Sequence, residues 1–323
     1  MLSVLAGGLL TTVQDQGRSA WQCAGVSAGG AMDRAAARWA NRIVGNADTA
    51  AVLEITLRGP TLQFTGGCWL ALAGSELDAH LDAQPLPVGS LAWAPAGSRL
   101  TLGAVRGGCR SYLAIAGGLD VPVVLGSRST ALRAGFGGWG GRPLQKGDAL
   151  PVGVPSLPAP RVATRVQVSS WRVDPAIRWA RSFAALRLVA SDELPADCLA
   201  ALQAQEFTVS PQSDRMGLRL AGAVLAPPAQ DLRLSAGLAF GSVQLPPDGR
   251  PIILGADRQP TGGYALLGTV ATVDHGKLAQ LCPGARVAFA RLALEEARAA
   301  LYREQAQEAR AQLMLAHQHR QLF

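Results

Sequence analysis

Asp15 and Arg18 stand three residues apart in the run Thr11-Thr12-Val13-Gln14-Asp15-Gln16-Gly17-Arg18, and Gly29-Gly30-Ala31-Met32-Asp33 follows it closely. An arginine can grip a carboxylate or a phosphate through two parallel N–H bonds. In a chain with only 4 histidines, a carboxylate is the more natural general base. Asp33 falls where a helix is expected to begin, and a helix N-terminus presents unpaired N–H groups and partial positive charge to an anion. A structural reading stands beside this one. Asp33 could cap the first helical turn, and Asp15 and Arg18 could pair with each other.

Further along, Leu125-Gly126-Ser127-Arg128-Ser129-Thr130 offers three hydroxyls and a guanidinium on one short loop. Such a loop can hold phosphate or carboxylate oxygens, or its hydroxyls can satisfy local backbone. Arg110 and Tyr112 alternate along an expected strand and so face the same way. They could line a common pocket, or form a surface arginine beside a half-buried tyrosine. Toward the C-terminus, Ser213-Asp214-Arg215 and Asp257-Arg258-Gln259 are polar triplets in apolar surroundings. Thr261-Gly262-Gly263-Tyr264 adds close backbone approach and an aromatic lid, and Gln244 precedes Leu245-Pro246. Each triplet could equally be a surface turn whose Asp–Arg pair is worth little.

Several chemistries are excluded. Gly135 to Gly140 fits G-x-G-x-x-G, but Arg142-Pro143-Leu144-Gln145 follows as turn and strand, not as the helix a dinucleotide site needs. No G-x-x-x-x-G-K-[ST] occurs, so any ATP site is not a P-loop, and no G-x-S-x-G or defensible Ser/His/Asp or Cys/His spacing marks a hydrolase triad. His317 and His319 are two apart on an expected helix and do not share a face. No metal site is predicted. The cysteines Cys23, Cys68, Cys109, Cys198 and Cys282 are odd in number and never form a C-x-x-C pair. That pattern fits reduced thiols in a cytoplasm, with Cys68 and Cys109 as small hydrophobes in apolar strands.

The net charge of +7 comes from 30 basic and 23 acidic residues, with lysine only at 146 and 277. The arginines are scattered, and no stacking aromatics accompany them. Small anionic ligands therefore fit better than nucleic acid. No apolar stretch approaches the ~20 residues of a membrane span. The run Val4 to Leu10 is short and lacks a basic flank, so it is predicted to be a first strand rather than a signal peptide.

The elements that must position these groups are mostly short strands. Thr61 to Phe64, Trp69 to Ala73, Leu77 to Leu81, Arg99 to Leu102 and Tyr112 to Ala116 are separated by Gly66-Gly67, Pro95-Ala96-Gly97 and Gly107-Gly108. This spacing predicts a barrel or sandwich. One helix, Ala31 to Val44, places Ala36, Trp39, Ala40 and Ile43 on a single face, and Gly45 stops it. With 323 residues, two domains are expected. Pro151 to Pro160 reads as a linker, and Pro246-Pro247-Asp248-Gly249 as a hairpin turn. From Leu294 to Phe323 proline and glycine vanish, which predicts one long helix.

Taken together, several motifs resemble the KipA / allophanate-hydrolase-subunit-2 family, whose members are biotin-dependent carboxyltransferase-like. They are the Thr11 to Arg18 run with Gly29 to Asp33, Ala40-Asn41 and Val44-Gly45-Asn46; then Gly117-Gly118-Leu119-Asp120-Val121-Pro122, Leu125 to Thr130 and Phe136-Gly137-Gly138. Ser213-Asp214-Arg215-Met216-Gly217, Gly241 to Pro246, Asp257-Arg258-Gln259 and Thr261 to Tyr264 complete the set. The resemblance runs over roughly residues 3 to 297. One departure is Pro260, where the family usually carries threonine. The resemblance implies a mainly β fold of two cyclophilin-like β-barrel domains, residues 1–155 and 165–293, with one N-terminal helix and a helical tail at 294–323.

It also implies a function. Members of the family include a component of ATP-dependent 5-oxoprolinase, which opens the lactam of 5-oxoproline to L-glutamate. A lactam is an unreactive amide, and phosphorylating its oxygen makes the carbon electrophilic. ATP, with Mg, is therefore expected in a complex with two partner proteins, one KipI-like and one LamB/YcsF-like. By this resemblance Asp15, Asp33, Asp214 and Asp257 would serve as bases or orienters. Arg18, Arg110, Tyr112, Ser127, Arg128, Ser129, Ser213, Arg215, Gln244, Arg258, Gln259, Thr261, Gly262 and Tyr264 would bind substrate or anion. Two alternatives stay open. One is a carboxyltransferase acting on urea or a related amide with carboxybiotin; the chain has no Ala-Met-Lys-Met sequence, so a separate carrier would supply the biotin. The other is a non-catalytic regulator binding a KipI-like protein.

Overall fold

Strands dominate the regular structure, and the longest of them run straight through glycines that predict their ends. The computed structural model describes residues 1–173, 183–192, 194–226 and 234–322. Ten strands build the first sheet: β1 (Leu2–Ala6), β2 (Leu10–Gln14), β3 (Val52–Thr56), β4 (Thr61–Phe64), β5 (Cys68–Leu81), β6 (Gln84–Pro85), β7 (Leu91–Ala94), β8 (Arg99–Ile115), β9 (Ala149–Leu150) and β10 (Gln167–Val168). Their order is β10-β7-β5-β8-β4-β1-β9, with β3 joining β2 to β8 and β6 on β5. The strand expected over Val4 to Leu10 is only partly there: β1 ends at Ala6, and Leu10 opens β2.

The spine of this sheet is the antiparallel pair β5–β8, which takes the place of four short strands. Register shifts between Gly74 and Glu76 and between Leu77 and Ala79 keep the pairing going. A bulge absorbs an extra residue and bends a strand without ending it. Gly74, at φ 96°, occupies the bend, and a Cβ there would lie 2.7 Å from the Arg110 carbonyl oxygen. One face of the sheet is continuous core, including Leu2, Leu53, Ile55, Leu62, Phe64, Leu70, Leu72, Leu113 and Ile115.

Helix α1 (Arg34–Ile43) buries Ala36, Trp39, Ala40 and Ile43, as their spacing predicts. It starts later than Ala31 because Asp33 is a non-helical N-cap whose Oδ1 accepts the Ala36 N–H at 2.9 Å. Its C-cap is Val44, and Gly45 takes the positive φ just beyond.

The second set of strands is β11 (Phe183–Ala190), β12 (Glu206–Val209), β13 (Gly217–Ala221), β14 (Ala236–Gly237), β15 (Ser242–Leu245), β16 (Ile252–Leu254), β17 (Thr261–Gly262), β18 (Ala265–Val270) and β19 (Arg286–Arg291). Seven of them form a closed barrel in the order β11-β18-β15-β16-β13-β12-β19. Closure joins β11 to β19 in parallel over six residue pairs. Closing a sheet on itself removes the unpaired edges that invite association. Leu186, Leu188, Phe207, Val243, Ile253, Leu267, Val287 and Phe289 fill its core. The predicted hairpin turn joins β15 to β16, with Gly249 N–H donating to Pro246 O at 3.0 Å. Strands β14 and β17 form a separate two-residue ribbon off the barrel. Helices α2 (Ala196–Gln203) and α3 (His275–Ala279) belong with the barrel, and α4 (Leu294–Leu322) is the long C-terminal helix.

The chain divides into two compact units, neither of them continuous in sequence. The first comprises Met1–Arg18, Asp33–Trp179 and Glu308–Phe323, and the second Ser19–Met32 and Ala180–Gln307. The proline-rich stretch is not where the chain leaves the first unit, because β10 follows it and pairs with β7. Among the described residues, no helix is long and apolar enough to cross a membrane.

Candidate functional site

In the first unit Asp15 is the hub of the conspicuous motifs. Its Oδ1 accepts hydrogen bonds from Ser127 Oγ at 2.6 Å, Ser129 Oγ at 2.6 Å and Gly17 N–H at 2.7 Å, and its Oδ2 accepts the Arg128 N–H at 2.5 Å. The Asp15 N–H donates back to Ser129 Oγ at 2.9 Å. The Thr11–Arg18 and Leu125–Thr130 motifs are therefore one loop pair clasped around a carboxylate. Asp15 is buried, as are Ser127 and Ser129. Arg18, also buried, donates to the Ser129 carbonyl and lies under the Phe136 ring, 4.9 Å from its centroid.

The glycine-rich stretch packs onto this clasp. A Cβ on Gly137 would lie 2.2 Å from Ser129 O, and one on Gly138 would lie 1.9 Å from Thr130 Oγ1. Glycine is needed here for close backbone approach.

A second buried network ties Asp33 to the sheet. Tyr112 OH donates to Glu54 Oε2 at 2.9 Å and accepts the Asp33 N–H at 2.7 Å. Arg110 Nε lies 3.8 Å from Glu54 Oε1. Arg110 and Tyr112 do share a face, as their alternation predicts, and both are buried. Burial pushes the Tyr112 hydroxyl well above its ordinary range, and the Glu54 charge adds to that rise. It stays a neutral donor. Glu54 is a residue that sequence reasoning misses; the available signal is a lone carboxylate inside Val52-Leu53-Glu54-Ile55.

Arg128 contributes its backbone N–H to Asp15, whereas its side chain turns away. Its Nε donates to Val121 O at 2.9 Å and its Nη2 reaches Asp120 at 3.2 Å.

In the second unit, Arg215 and Asp257 form a two-bond pair, Nε to Oδ2 at 2.9 Å and Nη2 to Oδ1 at 2.9 Å. Arg215 Nη2 also donates to Gly30 O at 2.6 Å. The segment carrying Gly29-Gly30 is thus held to the barrel's own loops, with Gly29 N–H on Ala256 O at 3.1 Å and Ala256 N–H on Met32 Sδ at 3.3 Å. Asp214 closes its own turn, accepting Met216 N–H at 2.8 Å and Gly217 N–H at 3.3 Å. Ser213 Oγ accepts the Arg219 N–H at 3.0 Å.

Gln244, Arg258, Thr261 and Gly262 come together around the β14–β17 ribbon. Arg258 is buried and donates from Nε to Leu238 O at 3.0 Å and from Nη1 to Gly255 O at 3.3 Å, which anchors the residue just after β14. Gln244 on β15 is 6% exposed, and among the described residues its Nε2 has no hydrogen-bond partner. That amide faces Gly262: a Cβ there would lie 3.0 Å from Nε2 and 2.7 Å from Leu238 Cδ1. Leaving a buried donor unsatisfied costs about 1–3 kcal/mol, so such a group is an uncommon feature in a folded core. Thr261, Gly263 and Tyr264 are exposed on the ribbon side, Tyr264 at 53%. Gln259 is exposed beside them.

The family described as "Carboxyltransferase domain, subdomain A and B" matches residues 24–291. The chain is 40% identical over 297 residues to the C component of 5-oxoprolinase from Escherichia coli, covering 92% of this chain and 93% of that one. It is 31% identical over 309 residues to a putative urea carboxylase of Emericella nidulans, covering 91% of this chain but 24% of the relative. The crystal structure of the K. lactis urea amidolyase superposes with a TM-score of 0.80 at 30% identity, over 92% of this chain and 19% of the other. The chain spans about half the length, 55%, of another solved relative, which superposes with a TM-score of 0.77 at 34% identity.

Proposed function

The chain belongs to the carboxyltransferase-domain family, and from that premise we propose that it is one component of an ATP-dependent 5-oxoprolinase complex that opens 5-oxoproline to L-glutamate. One observation carries this reading. The match to the C component of 5-oxoprolinase is length for length, 92% of one chain on 93% of the other. Against the urea carboxylase the chain corresponds to a quarter of a larger enzyme.

The unpartnered Gln244 amide supports a substrate site on the barrel. A lactam oxygen is an acceptor that an amide N–H can meet, and a donor aimed at a carbonyl stabilises the negative charge that builds there as the carbon is attacked. On this reading Gln244 Nε2 holds the carbonyl oxygen, and Gly262 lets the ribbon backbone lie close. Arg258 fixes the ribbon, and Thr261 and Tyr264 border the entry. The Arg215–Asp257 pair is a positioning device that braces the loop bearing Arg258. ATP is a co-substrate of the complex, and activation of the amide oxygen by phosphorylation is the chemistry it supplies. A KipI-like and a LamB/YcsF-like chain are the proposed partners, in a cytoplasmic assembly.

A second reading is favoured by the family's description and by the urea carboxylase relatives. In it, the same barrel transfers a carboxyl group to an amide. The ureido oxygen of biotin is also a carbonyl acceptor, so the Gln244 donor fits it equally; a separate carrier chain would supply the group.

The deciding experiment measures 5-oxoproline-dependent ATP hydrolysis by the purified chain, alone and with the two partner chains. The expected result is no turnover alone and turnover in the assembly. Turnover by the isolated chain would remove the partners from the proposal. An inactive assembly that instead carboxylates urea or a related amide with a biotinylated carrier would move the chain to the second reading.

A further inference from the structure

Helix α4 carries an exposed apolar seam on the side opposite its packed face. Ala299, Tyr302, Ala306, Ala309, Leu313 and Ala316 recur at alternating intervals of three and four residues, and all six are exposed. This is the period that keeps a seam facing one partner helix. The larger side chains are well out in solvent, Tyr302 at 69% and Leu313 at 72%, with Met314 beside them at 71%. The helix's other face is already occupied: Leu315 is buried, Glu308 pairs with Arg38 at 3.5 Å and Arg42 at 3.7 Å, and His319 bonds the Ile43 carbonyl at 3.0 Å.

Arg303 and Arg310 flank the seam one heptad apart, each directly following a seam residue. Both are exposed, and neither forms an ion pair among the described residues. Flanking charges of this kind set partner choice in helix pairs. A second copy of this helix is a poor complement. Its carboxylates near the seam are Glu295 and Glu296 at the helix start, where Glu295 pairs with Arg298 at 3.0 Å and Glu296 accepts the Ala293 N–H at 3.1 Å. A lipid surface is also a poor complement, because four of the six seam residues are alanines and the strip is one residue wide. The helix lies beyond residues 24–291, the region matched by the family, so the seam is not a feature of the common domain.

We propose that the exposed face of α4 docks an amphipathic helix of another protein that carries carboxylates at heptad spacing, opposite Arg303 and Arg310. Alanines let the two backbones approach closely, Tyr302 and Leu313 supply the knobs, and the two arginines select the acidic partner. The inference holds whichever reaction the complex performs.

The test uses the full chain and a fluorescently labelled heptad-repeat peptide with leucine in its seam and glutamate on both flanks, beside a twin with lysine flanks. Anisotropy titrations are expected to show binding of the glutamate peptide only. The double variant Arg303→Glu/Arg310→Glu should weaken that binding by about tenfold or more and gain the lysine twin, since charge opposition sets specificity. Leu313→Asp should also abolish binding, with an unchanged thermal melt because the residue is exposed. Failure of the glutamate peptide to bind, or equal binding to wild type and the double variant, overturns the proposal. Light scattering that shows a dimer dissolved by Leu313→Asp would assign the seam to a second copy. Sedimentation with anionic phosphatidylserine vesicles that is lost on charge reversal would assign it to a membrane. Either outcome overturns the helix partner.

Discussion

The clasp around Asp15 and the ribbon over Gln244 are both buried polar clusters built from the chain's most conspicuous motifs, yet they are finished differently. Asp15 receives four hydrogen bonds, two from hydroxyls and two from backbone N–H groups. Gln244 keeps an amide nitrogen that no group among the described residues meets. A carboxylate met by four donors is a good staple, because it holds two loops to one point. An unsatisfied buried donor is a standing cost to the fold, and it is repaid when an acceptor arrives. On the proposed reading the first cluster holds and the second binds.

Removing the hub is the harshest way to break this comparison. Asp15→Ala would strand two hydroxyls and two N–H groups in a buried site, and hydrogen bonds to charged groups are worth ~1.5–3 kcal/mol each. A loss above ~4 kcal/mol, or failure to fold, is expected in urea denaturation. A variant less than ~1 kcal/mol from wild type would show that the clasp is dispensable and that its carboxylate serves something else.

Asp257→Ala comes next. It leaves the 4%-exposed Arg215 side chain without its two-bond partner, while the bond to Gly30 O remains, and truncating one side of a buried pair costs ~3–5 kcal/mol. Retained activity in whatever fraction folds would support a bracing rather than a chemical role.

Gln244→Leu sharpens the contrast by separating two readouts. Taking away an unsatisfied donor should leave stability within ~1 kcal/mol of wild type, or raise it. Turnover of the assembled complex should fall more than about tenfold, ~1.4 kcal/mol of transition-state stabilisation. Unchanged turnover would sink the substrate role of that amide.

The smallest effects are in acid. Asp148 is held down to about 2, first by the side-chain bonds from Arg142, with burial opposing and the Gln145 N–H assisting. For Asp274, burial alone would raise the carboxyl, but bonds from the Arg187 side chain and N–H and from Lys277 outweigh it and leave the group lowered. Both carboxyls are more acidic folded than unfolded, where an aspartate titrates near ~3.9. Their stabilisation is therefore complete above that value and is lost as pH falls through the folded values. Melting temperature should be flat above pH ~4.5 on this account and fall below it, and the gap between wild type and Asp148→Asn should narrow through pH ~3 and close only below about pH 2.

What can be read from the sequence follows the range of the interaction that decides it. Asp33 as a cap, Gly249 in its turn and the long terminal helix depend on neighbours within a few positions, and they are legible. The continuity of β5 and β8 is not, because a glycine inside a strand looks like an ending until a partner strand shows that it is a bulge. Glu54 escapes notice because its partners Tyr112 and Arg110 lie far along the chain. The union of the Asp15 and Ser127 motifs into one clasp, and the lack of a partner for the Gln244 amide nitrogen among the described residues, are likewise three-dimensional facts. The motifs name the right residues without revealing which are already spoken for.

Residues 19–32 have a consequence for how this protein can be made and cut. They are synthesised near the start of the chain but belong to a unit whose remainder runs from residue 180 to 307. Their bonds to Arg215 and Ala256 close separations of 185 and 224 residues. On the ribosome this segment must wait, uncovered, until the barrel emerges, and closing loops of that length makes the step slow and exposes it to mispairing. No single cut in the gene can liberate the barrel intact. A fragment beginning after residue 180 would lack the carbonyl that Arg215 grips and the Met32 side chain that packs on Ala256 and Ala279, and it would need residues 19–32 returned as a tethered or added peptide to close its core.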